Sequence, residues 1–167
     1  DIQILQTQID YLFMLLVENA VDEEEMNLFY FFFSEIIRYQ QMSRQVYISE
    51  ENLNYLFFEI LLKMDLSHLP LSAFNLFKQI FFYINSEHSN MILIGGKIMD
   101  INDFSQLIGF ETLWKFYLET NNHYTSSESQ TLLVNLISTV AKRGDNREAF
   151  IFIFDKIFSN LEIFYNN

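Results

Sequence analysis

Four glycines and one proline in 167 residues leave this chain few places to turn. A sheet-rich fold needs a turn about every 8–12 residues, and those two residue types supply most of them. Long helices joined by short polar corners are what remains. Apolar residues recur at the matching spacing. Ile4, Tyr11, Leu12, Leu15 and Leu16 open a first helix over 2–17. A second is predicted over 23–40, with Asp22 as N-cap, Glu25 completing a capping box and Val21 stapled against Met26. The third covers 50–64, capped by Ser49, with Ile48 against Leu53. The fourth covers 72–84, capped by Ser72, with Pro70 in the preceding turn and Leu71 placed to meet Leu76.

The rhythm then breaks. His88 to Ser105 is too long and irregular for a simple helix–helix joint. Within it, Met91-Ile92-Leu93-Ile94 and Lys97-Ile98-Met99 flank Gly95-Gly96, which suits a small hairpin. A disordered or extended insertion fits the same residues. Helices resume over 107–119, 128–142 and 147–164, the sixth opening on Ser127 and Gln130, the seventh on Asp145 and Glu148. The chain therefore reads as one helical-repeat segment, with two helix pairs over 1–86, an insertion over 87–106 and three helices over 107–167.

Each pair with its joints takes about 40–45 residues, the period of HEAT and armadillo arrays. In such arrays one pair cannot bury its own apolar face and must stack on its neighbours. A closed helical bundle would also use amphipathic antiparallel helices. The open stack is favoured because Leu28, Phe29, Phe31, Phe32 and Phe33 point in several directions, as do Tyr55, Leu56, Phe57 and Phe58. A helix apolar most of the way round is covered on several sides. The expected fold is all-α: an armadillo/HEAT-like α-solenoid of about seven helices with one irregular insertion, His88 to Ser105.

Charge and composition narrow the function. Ten Lys and Arg against 22 Asp and Glu give a net charge of −12. A phosphate backbone would be repelled, because nucleic-acid affinity comes mainly from basic residues releasing counterions. Anionic membrane surfaces are disfavoured for the same reason. The longest aromatic run, Leu28 to Phe33, is far short of the roughly 20 residues a membrane span needs. With no cysteine there is no disulfide, thiolate metal site or thiol nucleophile, which fits a reducing, cytoplasmic setting. Asp1-Ile2-Gln3 has neither the basic start nor the cleavage site of a signal peptide. Lacking an initiator Met and opening as if inside a helix, the chain reads as a piece of something longer.

Chemistry-bearing residues are sparse. Asp22-Glu23-Glu24-Glu25 is the densest acidic cluster and is similar to the metal–diphosphate motifs of all-helical isoprenoid enzymes, but a second acidic motif on a facing helix is lacking. Carboxylates at a helix start meet the positive end of its dipole, worth about 0.3–1 kcal/mol each, so a capping role is the better reading. His68, His88 and His123 lack the spacing of metal ligands and read as solvated loop residues. Gly95-Gly96-Lys97 lacks the first glycine of a P-loop and the Ser or Thr after Lys, so it reads as a turn. Glu111, Lys115 and Glu119 make an exposed charge ladder. No serine sits in a nucleophile elbow. No catalytic, cofactor-binding or metal-ligating residue is assigned.

The aromatic load exceeds what a seven-helix core needs. Phe29 to Phe33, Phe57-Phe58 and Phe81-Phe82-Tyr83 are read mainly as core, with an exposed contact surface as the alternative. The tryptophan is more specific. Trp114 falls one turn past Phe110, on one apolar face with Leu113 and Leu118, and should fill a junction between two helix pairs. Gly109 should let the chain approach a neighbouring helix closely or adopt positive φ.

The order Leu76-Phe77, Phe81-Phe82, Ile84-Asn85, then Gly96-Lys97, then Leu107-Ile108-Gly109-Phe110 and Leu113-Trp114 is familiar. It is similar to the helical-repeat region of the very large ubiquitin-specific proteases of the fat-facets type. In that family a helix ends at an apolar–Asn pair, a "gly-lys" insertion follows, and a "leu-ile-gly … leu-trp" helix restarts the array. Leu132-Leu133-Val134-Asn135-Leu136 resembles its "leu-leu … leu" repeat helix, and Arg147-Glu148-Ala149-Phe150-Ile151 the start of the next. The match covers Leu76 to Phe158, about half the chain, and is a pattern of packing residues.

What the resemblance implies is a non-catalytic armadillo-like segment upstream of a papain-like cysteine protease domain. Its partners would be proteins, either ubiquitinated substrates or adaptors, and it would need no cofactor. A freestanding armadillo-like adaptor unrelated to ubiquitin is the alternative. An all-helical enzyme using Asp22 to Glu25 with a metal is a third reading.

Overall fold

The structure is a computed structural model describing residues 3–43, 45–102, 104–142 and 147–166. Helices dominate, as the scarcity of turn-makers demands. Helix α1, Gln6–Phe13, widens into a π-type turn, Met14–Glu18, where the Asn19 N–H donates five residues back to the Met14 carbonyl at 3.1 Å. Helix α2 is Glu23–Ser43. Helix α3, Glu50–Tyr55, ends in a second π-type turn, Leu56–Leu61, with Leu62 N–H on the Phe57 carbonyl at 3.0 Å. Helices α4 (Leu71–Glu87), α5 (Phe110–Leu118), α6 (His123–Ala141) and α7 (Arg147–Asn166) follow. Between α4 and α5 lie strands β1 (Met91–Ile94) and β2 (Lys97–Ile101) and a 3₁₀ turn, Phe104–Gln106.

Two expected starts keep their cap residue, Asp22 and Ser49, though the first lacks its other expected contacts. The Asp22 carboxylate accepts from the Glu25 N–H at 3.0 Å, and Glu25 reaches back to the Val21 N–H at 2.9 Å. That is one residue earlier than a capping box requires. Val21 is 86% exposed, so the staple against Met26 is not formed. Ser49 caps α3 by accepting from the Asn52 N–H at 3.2 Å, with Ile48 and Leu53 both buried beside it.

Other boundaries differ from expectation. Ser72 does not cap α4: the helix starts at Leu71 after Pro70, and the Ser72 hydroxyl donates to Asn27 Oδ1 on α2 at 2.5 Å. Proline's fixed φ already sets that entry. Helix α6 starts at His123 rather than Glu128, because Asn122 accepts from the N–H groups of Tyr124 (3.0 Å) and Thr125 (3.2 Å). Ser129 and Thr131 lie inside α6 with their hydroxyls on the carbonyls of Ser126 and Ser127.

The segment before α1 is extended rather than helical. Ile4 N–H donates to the Tyr47 carbonyl and Asn52 Nδ2 donates to the Ile4 carbonyl, each at 2.8 Å. Helices α2 and α4 run on to Ser43 and Glu87, and the third helix stops at Leu61. The expected cap of α7 rests on Asp145, which lies outside the described residues.

In space α2 lies along α4, α4 meets α6, and α6 touches both α5 and α7. Strand β1 packs on α4 and β2 on α6. The space among these elements is filled with rings. Phe57 stacks on Phe77 with centroids 5.7 Å apart, and Phe77 meets Phe81 at 5.7 Å and Phe116 at 5.1 Å. All four are fully buried. Such pairs add about 0.5–1.5 kcal/mol each beyond area burial.

Tyr30 is buried in the same core, its hydroxyl 3.8 Å from the Met64 sulfur. Burial holds its phenol well above the ordinary value of 10.0. The unfolded chain releases this proton first, so the stabilisation is complete below about pH 10 and is lost as pH rises further. Urea melts at pH 8 and at successive steps above 10 should show a falling midpoint, with a shallower fall for Tyr30→Phe. Parallel slopes would remove Tyr30 as the cause.

Candidate functional site

Of the Leu76 to Trp114 pattern, Asn85, Ile108, Gly109, Phe110 and Trp114 meet at one junction that an asparagine organises, while Gly96 and Lys97 lie apart at the hairpin turn. Asn85 is fully buried near the end of α4. Its Nδ2 donates to the carbonyls of Phe81 and Ile108, each at 2.9 Å. Its Oδ1 accepts from the Ile108 N–H at 2.8 Å and from Asn90 Nδ2 at 3.2 Å. One amide thus satisfies both backbone groups of a residue 23 positions away. Asn90 extends the clasp, donating from Nδ2 to the Gln106 carbonyl at 2.9 Å and accepting from the Asn102 N–H at 2.9 Å. Both ends of the insertion are therefore tied to the end of α4.

The insertion itself is a hairpin, one of the two forms its residues allowed. Its strands are antiparallel, pairing Met91 with Ile101 and Ile94 with Lys97, with a bulge between Ile92 and Leu93. Gly95 and Gly96 have φ of +57° and +75°, the sign a type I′ turn requires at both positions. Buried Met91 and Ile101 anchor its base.

Gly109 meets both demands read from the sequence. Its φ is +85°, and a Cβ there would lie 2.9 Å from the Phe57 ring and 3.4 Å from the Phe81 ring. A side chain would strain the backbone and strike the core together. Immediately after it, Phe110 packs edge-on against Phe104 (4.8 Å) and Trp114 (6.2 Å), and tilted against Phe152 of α7 (6.1 Å). Trp114 is buried, with its Nε1 lacking a hydrogen-bond acceptor among the described residues. Leu113 is fully buried, but Leu118 is 40% exposed, so it does not share the indole's environment. Among the described residues, the side chains shown meeting here are amides and aromatic rings. The junction holds the helices in register.

The remaining candidates are scattered. Asp22 and Glu25 are committed to the start of α2. His68, His88 and His123 are exposed, before α4, at its end and at the start of α6. Among the described residues no three His, Asp or Glu side chains gather where they could hold a metal ion. The charge ladder is not formed as expected: Glu111 reaches across to Lys156 on α7 instead of pairing with Lys115. Gly96 and Lys97 border a polar groove between the hairpin and α6, together with Lys142 and Lys78, whose Nζ lies 3.3 Å from Glu128.

The aromatic run divides by helix face. Phe29, Tyr30 and Phe33 are buried, but Leu28, Phe31 and Phe32 are 60%, 64% and 45% exposed. Phe57 and Phe81 belong to the core, while Phe58 is exposed. The exposed part of α2 joins α1. Leu12 and Leu16 line one hollow with Leu28, Phe31 and Phe32, and Ile4, Tyr11 and Leu12 line the next, again with Phe32. Phe32 also borders a third, with Ile36, Tyr39 and Tyr47. The result is one apolar trough along the α1–α2 seam. The sequence hinted at an exposed aromatic surface without saying which residues form it.

No protein-family model matches this chain, and no curated protein matches it.

Proposed function

We propose that this chain is a non-catalytic, armadillo/HEAT-like scaffold segment of a large ubiquitin-specific cysteine protease, acting as a surface that positions protein substrates or adaptors. The observation that carries the reading is the residue order from Ile84-Asn85 through Gly96-Lys97 to Leu107-Ile108-Gly109-Phe110 and Leu113-Trp114. Three members of that order have a structural task here. Asn85 binds both backbone groups of Ile108, Gly109 fits under Phe57, and Trp114 fills the space beyond Phe110.

The succession α2, α4, α6 of second helices, each beside the next, supports an open stack, the arrangement by which repeats build extended binding surfaces. Within the parent the segment's mechanism would be positional, and its location cytoplasmic.

The test is the complete reading frame that contains this chain. A cysteine-box and histidine-box protease domain downstream is the expected result, and deleting this segment should then slow removal of ubiquitin from folded substrates more than from a small fluorogenic ubiquitin ester. A complete frame without such a domain overturns the deubiquitinase assignment and leaves a freestanding adaptor.

A further inference from the structure

The trough on α1 and α2 is an apolar feature with no partner among the described residues, and its electrostatic frame says what should cover it. On α2, Glu24, Leu28, Phe31 and Glu35 stand at spacings of four, three and four, so one helical stripe carries two apolar side chains between two carboxylates. Phe32 and Tyr39 widen that stripe, and Leu12 and Leu16 close it from the α1 side. From Leu28 to Tyr39 it runs about 16 Å, three helical turns.

Residues 3–43 carry seven carboxylates and one cation, Arg38, whose guanidinium is already held by Glu35 at 2.5 Å. A quarter of the chain thus holds half of its −12 net charge. A second copy laid face to face would bring together two segments that each carry seven carboxylates against one cation. An anionic lipid surface would be repelled in the same way.

We infer that the trough binds an amphipathic helix from a protein partner, with apolar anchors at i, i+3 or i+4, and i+7 and with Lys or Arg on its flanks. The inference rests on the reading of this chain as a protein-binding scaffold and adds the face and the chemistry of the partner. Apolar anchors in a groove supply the affinity of such complexes, while complementary flanking charge sets the approach rate and the choice of partner. Glu24, on the stripe one turn before Leu28, is placed to meet a cationic flank, and Phe31 and Phe32 to meet the anchors.

The test uses the 167-residue chain and two fluorescein-labelled helical peptides of about 16 residues with the same leucine anchors. One has lysine flanks and the other glutamate flanks. The lysine peptide should bind saturably, about tenfold or more tighter than the glutamate peptide, and the gap should narrow as salt is raised. Phe31→Ser should weaken the lysine peptide about tenfold or more. Tyr124→Ser, at an exposed tyrosine on α6, should leave binding unchanged.

Because Phe31 is mostly exposed, its variant should keep the parent's circular-dichroism melt. Equal affinity for the two peptides, no binding of the lysine peptide, or indifference to Phe31→Ser would overturn the inference. So would sedimentation showing a Phe31-dependent dimer, which would make a second copy the occupant. Peptide binding by a chain whose full frame lacks a protease domain would keep this inference and remove only the deubiquitinase reading.

Discussion

Replacing Asn85 with alanine is expected to cost about 3–5 kcal/mol of folding stability, and to loosen the hairpin before the rest unfolds. The side chain is fully buried and uses both of its amide protons and both acceptor positions of its oxygen. Phe81 loses little, because a helix carbonyl keeps its backbone partner. Ile108 loses everything Asn85 gives it: its N–H and its carbonyl both depend on this one amide. A buried polar group left without a partner costs about 1–3 kcal/mol, and two such groups with a small void reach the stated range. Asn85→Asp should be no milder, since a carboxylate cannot donate to either carbonyl and would sit buried against both oxygens.

Urea melts give the size of the effect, and amide exchange gives its place. Ile108 and Asn102 should lose protection, while Phe33 in α2 should exchange at a rate set by global stability. If the urea midpoint of Asn85→Ala matched the parent's, water would be replacing the amide freely and the clasp would not be what closes the insertion.

That clasp also marks where a single sequence stops being readable. The helices were legible because the scarcity of glycine and proline and the apolar periodicity are local facts. The start of α2 was legible because Asp22 and Glu25 act within four residues of each other. The turn at Gly95-Gly96 was legible as a possibility, since both positive φ values fall on glycines.

Where two local signals competed, the pattern misled. Ser127 and Gln130 have the spacing of a cap, but Asn122 lies earlier and captures two N–H groups, so the helix had already begun. The partner of Glu111 was misread because Lys115 is close along the chain, while Lys156 is close only once α7 has docked. Asn85 stood in the sequence pattern without a role, since its partner is 23 residues distant. The division of the aromatic run into buried Phe29 and Phe33 and exposed Phe31 and Phe32 likewise depends on where α1 and α4 lie against α2.

Trp114→Ala should destabilise the chain by about 3–5 kcal/mol, the cost of truncating a large buried ring that its surroundings cannot refill. The neighbours are rigid. Phe110 is held between Phe104 and Phe152, and Tyr117 lies edge-on to the indole at 6.2 Å. Collapse into the void would have to pull α5 toward α7 against the start fixed by Gly109. Trp114→Phe should behave differently. The indole Nε1 is buried with no acceptor among the described residues, so the native ring carries a desolvation penalty that phenylalanine lacks. Lost contact area and a removed orphan donor then oppose each other, and the change should stay within about 1.5 kcal/mol. Both variants remove the chain's only tryptophan, so the melts must be followed by circular dichroism rather than fluorescence. Equal, large losses for the two variants would mean that the N–H has a partner; equal, small losses would mean that the ring is not a packing element of this junction.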